Sequence, residues 1–328
     1  GSRRRASLTF ARHKGHLVFG FNAAKSNEII NIDNCNLLTE RINRNLGFIR
    51  SLLEEIVSVQ CCERGKKGKP RVFKIESGDV WITEADNGLD VVLEFPYELN
   101  LELRQIIFEK VSAQDEIIRV SHRQSVNHHP ETIMEKIKPY LKIAEREVYI
   151  PAGTFLQPSK AGEQTLVKLV LHNIGSVQGT VADLFCGVGT FSYALSALPD
   201  VKIVAVDSSE ELLDGFRASL NRQMIANVEV LNRNLFKYPL AGKELENYAA
   251  VVFDPPRAGA KEQAMAIAAL KDDLKPKRIV AVSCNPHSFV RDADILITGG
   301  YKLRSVTMGD QFIYSKHSEL VARFDYEC

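Results

Sequence analysis

Four chemistry-bearing side chains in the C-terminal half stand where the chain leaves an apolar run: Asp183 in "VADLFCGVG", Asp207 in "VKIVAVDSS", Asp254 in "AAVVFDPPR" and Cys284 in "RIVAVSCNP". Runs of Val, Ile, Ala and Phe of this kind are the pattern of strands buried on both faces. A thiol that only fills a core belongs inside such a run. Cys284 instead sits at its mouth, beside the chain-turning Asn285-Pro286. A thiolate there can add to carbon 6 of a pyrimidine, making carbon 5 nucleophilic enough to attack a sulfonium methyl group. Covalent catalysis of this type divides one hard step into easier ones. It calls for a lowered thiol pKa, and the N-terminus of the helix expected after "CNP" would supply one.

The same strand ends bear on the methyl donor. In "DLFCGVGTF" a strand runs into a turn where Gly187 and Gly189 let the backbone approach a ligand and adopt positive φ. Asp207 ends the following strand about 20 residues on, the place of an acid that binds ribose hydroxyls. Both features have plainer readings: a tight strand-to-helix turn needs the same glycines, and Asp207 would also cap a helix in "DSSEELL". Dinucleotide folds carry a third glycine near a pyrophosphate, but this chain has Ser192. S-adenosylmethionine, with a ribose, an adenine, a cationic sulfonium and no phosphate, fits a carboxylate-lined edge better. Asp254 leads into Pro255-Pro256, a donor-poor loop that fixes the carboxylate. Arg257 stands where enzymes acting on exocyclic amines place an aromatic, which argues against such a target. A base is also needed to remove the carbon 5 proton, and "YSKHSELVARF" offers His317 and Glu319. A buried carboxylate there would suit proton abstraction.

The elements that must position these groups fall into two halves. From about residue 155, strands are expected at 179–184, 201–207, 226–231, 248–253 and 277–283, and helices at 189–197, 208–222, 261–270 and 286–297. Two further strands are expected near 301–310 and 317–324. Such alternation predicts a mainly parallel sheet with helices on both faces, whose ligands bind outside the carboxyl ends of the strands. The first half reads as a smaller α+β domain, largely antiparallel. It has a hairpin through "HKGH", a helix over 37–57 with Thr39 near its start, and three strands over 71–96 turning at Ser77-Gly78 and Asn87-Gly88. A helix near 99–112 and strands near 116–120 and 146–151 follow. The domains are placed at 3–150 and 151–328.

Composition sets the outer bounds. The 328 residues carry a net charge of +1 and 25% charged side chains, an ordinary globular balance with no global pull toward polyanions. No apolar run approaches the roughly 20 residues of a membrane span, so no membrane partner is expected and the location is read as cytoplasmic. Arg3–Arg5 and Lys66, Lys67, Lys69 and Arg71 form local basic clusters. Each is ordinary as a solvated face and also serviceable as a nucleic-acid contact. The six cysteines contain no CxxC, and a disulfide scaffold is not expected at this length without a secretion signal.

Together "DLFCGVGTF", "DPPRAG", "SCNPHSFVRD" and "HSELVARF" closely resemble the S-adenosylmethionine-dependent RNA uracil-5-methyltransferases, and "RRRASL" with "GFNAAKSNEIINIDNC" resembles that family's central domain. The resemblance implies a Rossmann-like class I methyltransferase domain behind an α+β, RNA-binding central domain. It implies Cys284 as nucleophile and Glu319 as proton acceptor. Gln157, Phe185, Thr190, Asp207, Asn234 and Asp254 match positions lining the donor and target-base pocket, joining Gly187 and Gly189. Ser159 replaces a frequent Asn, Asp207 a frequent Glu and Thr190 a frequent Asn.

Many members of the family hold a [4Fe–4S] cluster, and Cys35 matches its fourth ligand. The other three would precede Arg3, so the cluster is an expectation for a longer protein. The implied activity is methylation of uridine carbon 5 in RNA, of 23S ribosomal type, by a monomer. Transfer RNA is the alternative target, and a non-catalytic RNA-binding module the alternative role. Cytosine is the weaker choice because Asp254-Pro255-Pro256 carries no second cysteine.

Overall fold

A computed structural model describes residues 1–64, 70–309 and 318–327. Lys66, Lys67, Lys69, His317 and Cys328 fall outside the described residues. Two compact units emerge, one of residues 1–141 with 151–159 and the other of residues 142–150 with 160–328. The boundary therefore interleaves around residue 150 rather than being a single cut.

In the first unit, β1 (Arg5–His13) and β2 (His16–Asn22) form the hairpin read from "HKGH". Lys14 and Gly15 take φ of 50° and 89°, the left-handed pair that matches strand twist in a two-residue hairpin. After β3 (Ile29–Asn31) comes α1 (Glu40–Ser58), whose Ile42, Leu46, Ile49, Leu53 and Ile56 share one buried face. A small ribbon, β4 (Cys61–Arg64) with β5 (Pro70–Phe73), precedes β6 (Ser77–Ala85) and β7 (Gly88–Glu94). The Asn87-Gly88 turn closes β6 onto β7 as expected. Ser77-Gly78 instead opens β6, paired to Ala11 and Phe10. A Cβ on Gly78 would lie 2.8 Å from the Phe10 ring, so this glycine permits close strand approach and makes no turn.

The unit continues with α2 (Leu101–Ser112), β8 (Ile117–Arg123) and β9 (Glu131–Glu135). Its seven-stranded sheet runs β3-β2-β1-β6-β7-β8-β9, antiparallel except for β7 and β8, which α2 joins in parallel. One face packs Leu8, Phe10, Val80, Ile82, Val91 and Leu93 in a common core with α1. On the opposite pleat, buried Arg119 grips Asp90 through two hydrogen bonds of 2.8 and 2.9 Å.

A ribbon of β10 (Tyr140–Ile143) and β11 (Arg146–Tyr149) leads to α3 (Lys160–Ile174), a helix absent from the sequence reading. There follow β12 (Gly179–Leu184), α4 (Thr190–Leu195), β13 (Val201–Asp207), α5 (Glu210–Arg222) and β14 (Val228–Asn232). The chain then makes β15 (Tyr248–Phe253), α6 (Lys261–Ala268), β16 (Arg278–Ser283), α7 (Pro286–Thr298), β17 (Lys302–Gly309) and β18 (Glu319–Asp325). The sheet order is β14-β13-β12-β15-β16-β18-β17. Strands β12 to β16 are parallel, while β18 runs antiparallel between β16 and β17. Strand order reverses between β12 and β15, and the crevice beyond that reversal is where open sheets of this kind bind ligands. No described helix is long and apolar enough to cross a membrane.

Candidate active site

Three strand ends converge on the crevice. Cys284 follows β16 directly and is half-buried. The antiparallel register sets Ser283 opposite Leu320, so Cys284 and Glu319 are neighbours across adjoining strands. Glu319, 3% exposed, opens β18. On the other side of β16, Asp254 follows β15, its backbone N–H bonded to the Leu184 carbonyl at 3.2 Å.

The electrostatics of this cluster bind its members together. Burial, then Glu319, then Asp183 push the Asp254 carboxyl up to about 8. Burial, then Glu319 and Asp254 push the Cys284 thiol above its ordinary value, with Arg257 opposing them. This corrects the expectation of a lowered thiol pKa. The helix N-terminus after "CNP" is present, but burial and two carboxylates outweigh it. Asp183 lies fully buried at the end of β12, taking the Ser192 hydroxyl at 2.6 Å on Oδ2 while Oδ1 has no hydrogen-bond partner. Burial pushes this carboxyl up to about 7, with the nearby Asp207 charge acting in the same direction and the Ser192 bonds against it.

The glycine-rich turn has the form a donor site needs. Phe185, Gly187 and Gly189 all take left-handed φ, of 61°, 56° and 88°. A Cβ on Gly189 would strike the Phe216 ring at 2.4 Å, whereas one on Gly187 would meet nothing within 4 Å. Gly189 therefore serves packing, and Gly187 keeps a face of backbone open. Asp207 does not cap α5; Ser209 does, accepting from the Leu212 N–H. The Asp207 carboxylate instead receives the Gly187 N–H at 3.0 Å on one oxygen and the Ser209 N–H at 2.9 Å on the other. It locks the turn to the end of β13, and each oxygen keeps a lone pair for a ribose hydroxyl.

Asn234 accepts from the Phe236 and Lys237 N–H groups at 3.1 and 3.2 Å, shaping the loop after β14. That loop sets the Phe236 ring 5.4 Å from Phe185. Thr190 is the first residue of α4, behind Gly189. These residues fit S-adenosylmethionine: open backbone at Gly187, an acid aimed at the turn and an aromatic pair beside it. Gln157 belongs to the first unit, where its carbonyl accepts from Arg4 Nε at 3.0 Å.

Cys35 lies in a loop of the first unit that Asn43 closes by bonding both its N–H and its carbonyl, at 2.9 and 3.0 Å. It joins no group of three or more metal-ligating side chains among the described residues. One thiolate does not fit a [4Fe–4S] cluster by itself.

Sequence reasoning read Asn285 only as part of a chain turn and passed over Arg291 and Asp292. Asn285 caps α7 by accepting from the His287 N–H at 3.1 Å and donates to the Arg257 carbonyl at 2.9 Å. Asp292 is buried among Ser288, Phe289, Ala293 and Leu296 on the inner face of α7. An acid at apolar helical spacing in "SFVRDADIL" was the readable signal.

A thiol flanked by carboxyls after β16, beside a glycine-rich turn at the switch point of a Rossmann-like sheet, fits a methyltransferase of class I architecture. The family model for tRNA (uracil-5-)-methyltransferase matches residues 2–322. The chain belongs to that family, the S-adenosylmethionine-dependent RNA (uracil-C5) methyltransferases. An uncharacterized RNA methyltransferase of Agrobacterium fabrum is 36% identical over 98% of this chain and 71% of its own length. The 23S rRNA (uracil(1939)-C(5))-methyltransferase of Aliivibrio salmonicida is 28% identical over 98% of this chain and 69% of its own. In fold, the chain is similar to the tRNA (uracil-54, C5)-methyltransferase of Pyrococcus abyssi, solved with S-adenosyl-L-homocysteine. That match has a TM-score of 0.74 at 20% identity and covers 98% of this chain and 76% of the other.

Proposed function

We infer that this protein methylates carbon 5 of a uridine in 23S ribosomal RNA through a covalent adduct on Cys284. The observation that carries the reading is the placement of Cys284 between Asp254 and Glu319 at the mouth of β16. The Cys284 thiolate adds to carbon 6, and the electrons of the 5,6 double bond move onto carbon 5 and the carbonyl oxygen. Bound S-adenosylmethionine supplies an electrophilic methyl group, held by the Gly187–Thr190 turn, Asp207, Asn234 and the Phe185–Phe236 pair. Carbon 5 takes the methyl as the carbon–sulfonium bond breaks. Glu319 then removes the carbon 5 proton, the double bond re-forms and the carbon 6–sulfur bond breaks, freeing the thiol. Reaching the thiol requires the base to leave its stack, at roughly a few kcal/mol.

The ribosomal target rests on similarity to the Aliivibrio salmonicida enzyme; transfer RNA remains the second reading because the family model is named for it. The first unit is assigned to RNA contact. Its opening stretch carries Arg3, Arg4, Arg5, Arg12, Lys14 and Lys25 before the first acid, Glu28, in a chain of net charge only +1.

The test is incubation of the protein with ribosomal and transfer RNA transcripts and labelled donor. Cys284→Ala is expected to abolish 5-methyluridine formation, by at least about 10³-fold, while leaving donor affinity near normal. Glu319→Gln is expected to accumulate a denaturation-resistant protein–RNA adduct. Turnover by Cys284→Ala would remove the mechanism, and methylation of transfer RNA alone would replace the target.

A further inference from the structure

The loop 254–260 is turned on itself by the Gly259 N–H bonded to the Pro256 carbonyl at 2.8 Å and tied at its start by the Asp254 N–H on the Leu184 carbonyl at 3.2 Å. Pro255 and Pro256 have no N–H to donate, and the ladder between β15 and β16 ends at the Phe253–Ala281 pair. The loop's second half is further held from α7, the helix that begins just after Cys284. Asn285 Nδ2 donates to the Arg257 carbonyl at 2.9 Å, and Arg291 Nη2 to the Ala258 carbonyl at 2.8 Å. Asp292 Oδ2 accepts the Ala260 N–H at 2.6 Å. The other oxygen of Asp292 takes Arg291 Nε and Nη2 at 2.8 and 2.7 Å, which orients the guanidinium toward Ala258. The fit leaves no slack: at Gly259, φ +81°, a Cβ would lie 2.5 Å from both Arg291 Nη2 and Asp292 Oδ2.

We propose that Arg291 and Asp292 are positioning residues for methyl transfer, a brace fixing the Asp254 loop to the helix that carries Cys284, and hence the spacing of carboxyl and thiol. The proposal rests on Cys284 being the nucleophile. Neither residue lies on the turn of 185–190 or bonds the Asp254 carboxyl itself, so loss of the brace is expected to fall mainly on covalent addition, with a smaller effect on donor binding through Asp254. A misplacement of about 1 Å at a reacting centre costs on the order of 10²-fold in rate.

The experiment measures three quantities for Asp292→Ala, Asp292→Asn, Arg291→Ala and Cys284→Ala. They are calorimetric affinity for S-adenosylmethionine, kcat and KM for methylation, and the rate of adduct formation with ribosomal and transfer RNA transcripts containing 5-fluorouridine. Asp292→Ala is expected to lower kcat and adduct rate together by about 10²-fold, with donor affinity within about threefold of wild type. Asp292→Asn keeps an acceptor oxygen for the Ala260 N–H and is expected to recover at least about tenfold of that loss. Arg291, exposed over 40% of its side chain, provides the variant that decides if Asp292→Ala does not fold, with an expected loss of about tenfold. Wild-type adduct rates in Arg291→Ala and in the folded Asp292 variants, or a loss of donor affinity equal to the loss of kcat, overturn the brace. An active Cys284→Ala instead overturns the nucleophile assignment, so the two failures read differently.

Discussion

The covalent route proposed for Cys284 needs its anion, yet this thiol rests among groups that oppose the charge. Burial raises its pKa first, then Glu319, then Asp254, while a backbone hydrogen bond to the sulfur and then the Arg257 cation act the other way. The thiol is therefore protonated through neutral pH, and the reactive fraction grows about tenfold per pH unit until the thiol titrates. Adduct formation with 5-fluorouridine RNA is expected to go on climbing with pH beyond the ordinary thiol range. Replacing Arg257 by Ala removes the opposing cation and is expected to move the rising limb to still higher pH. A plateau at neutral pH in stopped-flow adduct measurements would show that the thiol is already ionised in the free protein. Asp254, pushed up to about 8, adds a second change in the same range. The profile belongs to the coupled cluster rather than to one group.

At the scale of elements, two glycines two residues apart do different work. Gly189 has the Phe216 ring 2.4 Å from where a Cβ would stand, while Gly187 faces open space. Gly189→Ala is expected to cost about 1–3 kcal/mol in urea unfolding, through overpacking and left-handed strain. Gly187→Ala costs about 1 kcal/mol of strain but puts a methyl group on the open face, so its larger effect should be weaker donor binding by calorimetry. If both variants lose stability equally and keep donor affinity, the open face is not the donor's.

The strands and helices from β12 onward were legible because each is a closed apolar run or an amphipathic stretch bounded by Gly, Pro or an acid. Helix α3 was missed although Leu166, Val170 and Ile174 share its buried face; its Lys, Glu and Gln residues interrupt the apolar pattern. Strand ends are legible too, so Asp254 and Cys284 could be placed on one edge. The direction of the thiol shift could not be read, because it depends on which carboxyls the register brings close. Nor could the work of Asp207, whose bonds to Gly187 and Ser209 join two turns far apart in sequence. Ser77-Gly78 misled for a related reason: a glycine needed for close approach looks, in sequence, like one needed for a turn.

Across the whole molecule, charge is divided unequally. Six cations precede the first acid at Glu28, so the remainder of the chain is net negative. Lys14 and Lys25 stand exposed, at the β1–β2 tip and just beyond β2. Replacing both by Glu is expected to weaken RNA binding about tenfold at 0.15 M salt and to flatten the salt dependence, with donor affinity unchanged. Filter binding across a salt series checks this. An unaltered slope would move the polyanion contact elsewhere on the chain.

Glu319, the proposed proton acceptor, is delivered by a strand running against its neighbours, and neighbouring residues along a strand face opposite ways. A slip of β18 by a single position would exchange Glu319 for Leu320, leaving hydrocarbon beside the sulfur and a carboxylate pressed into the sheet's packing. The pairing of β16 with β18 thus works as a vernier. Lesions that shift this alignment should silence the enzyme while leaving its methyl donor seated, and a screen for inactive yet donor-competent mutants should find insertions clustered along this strand.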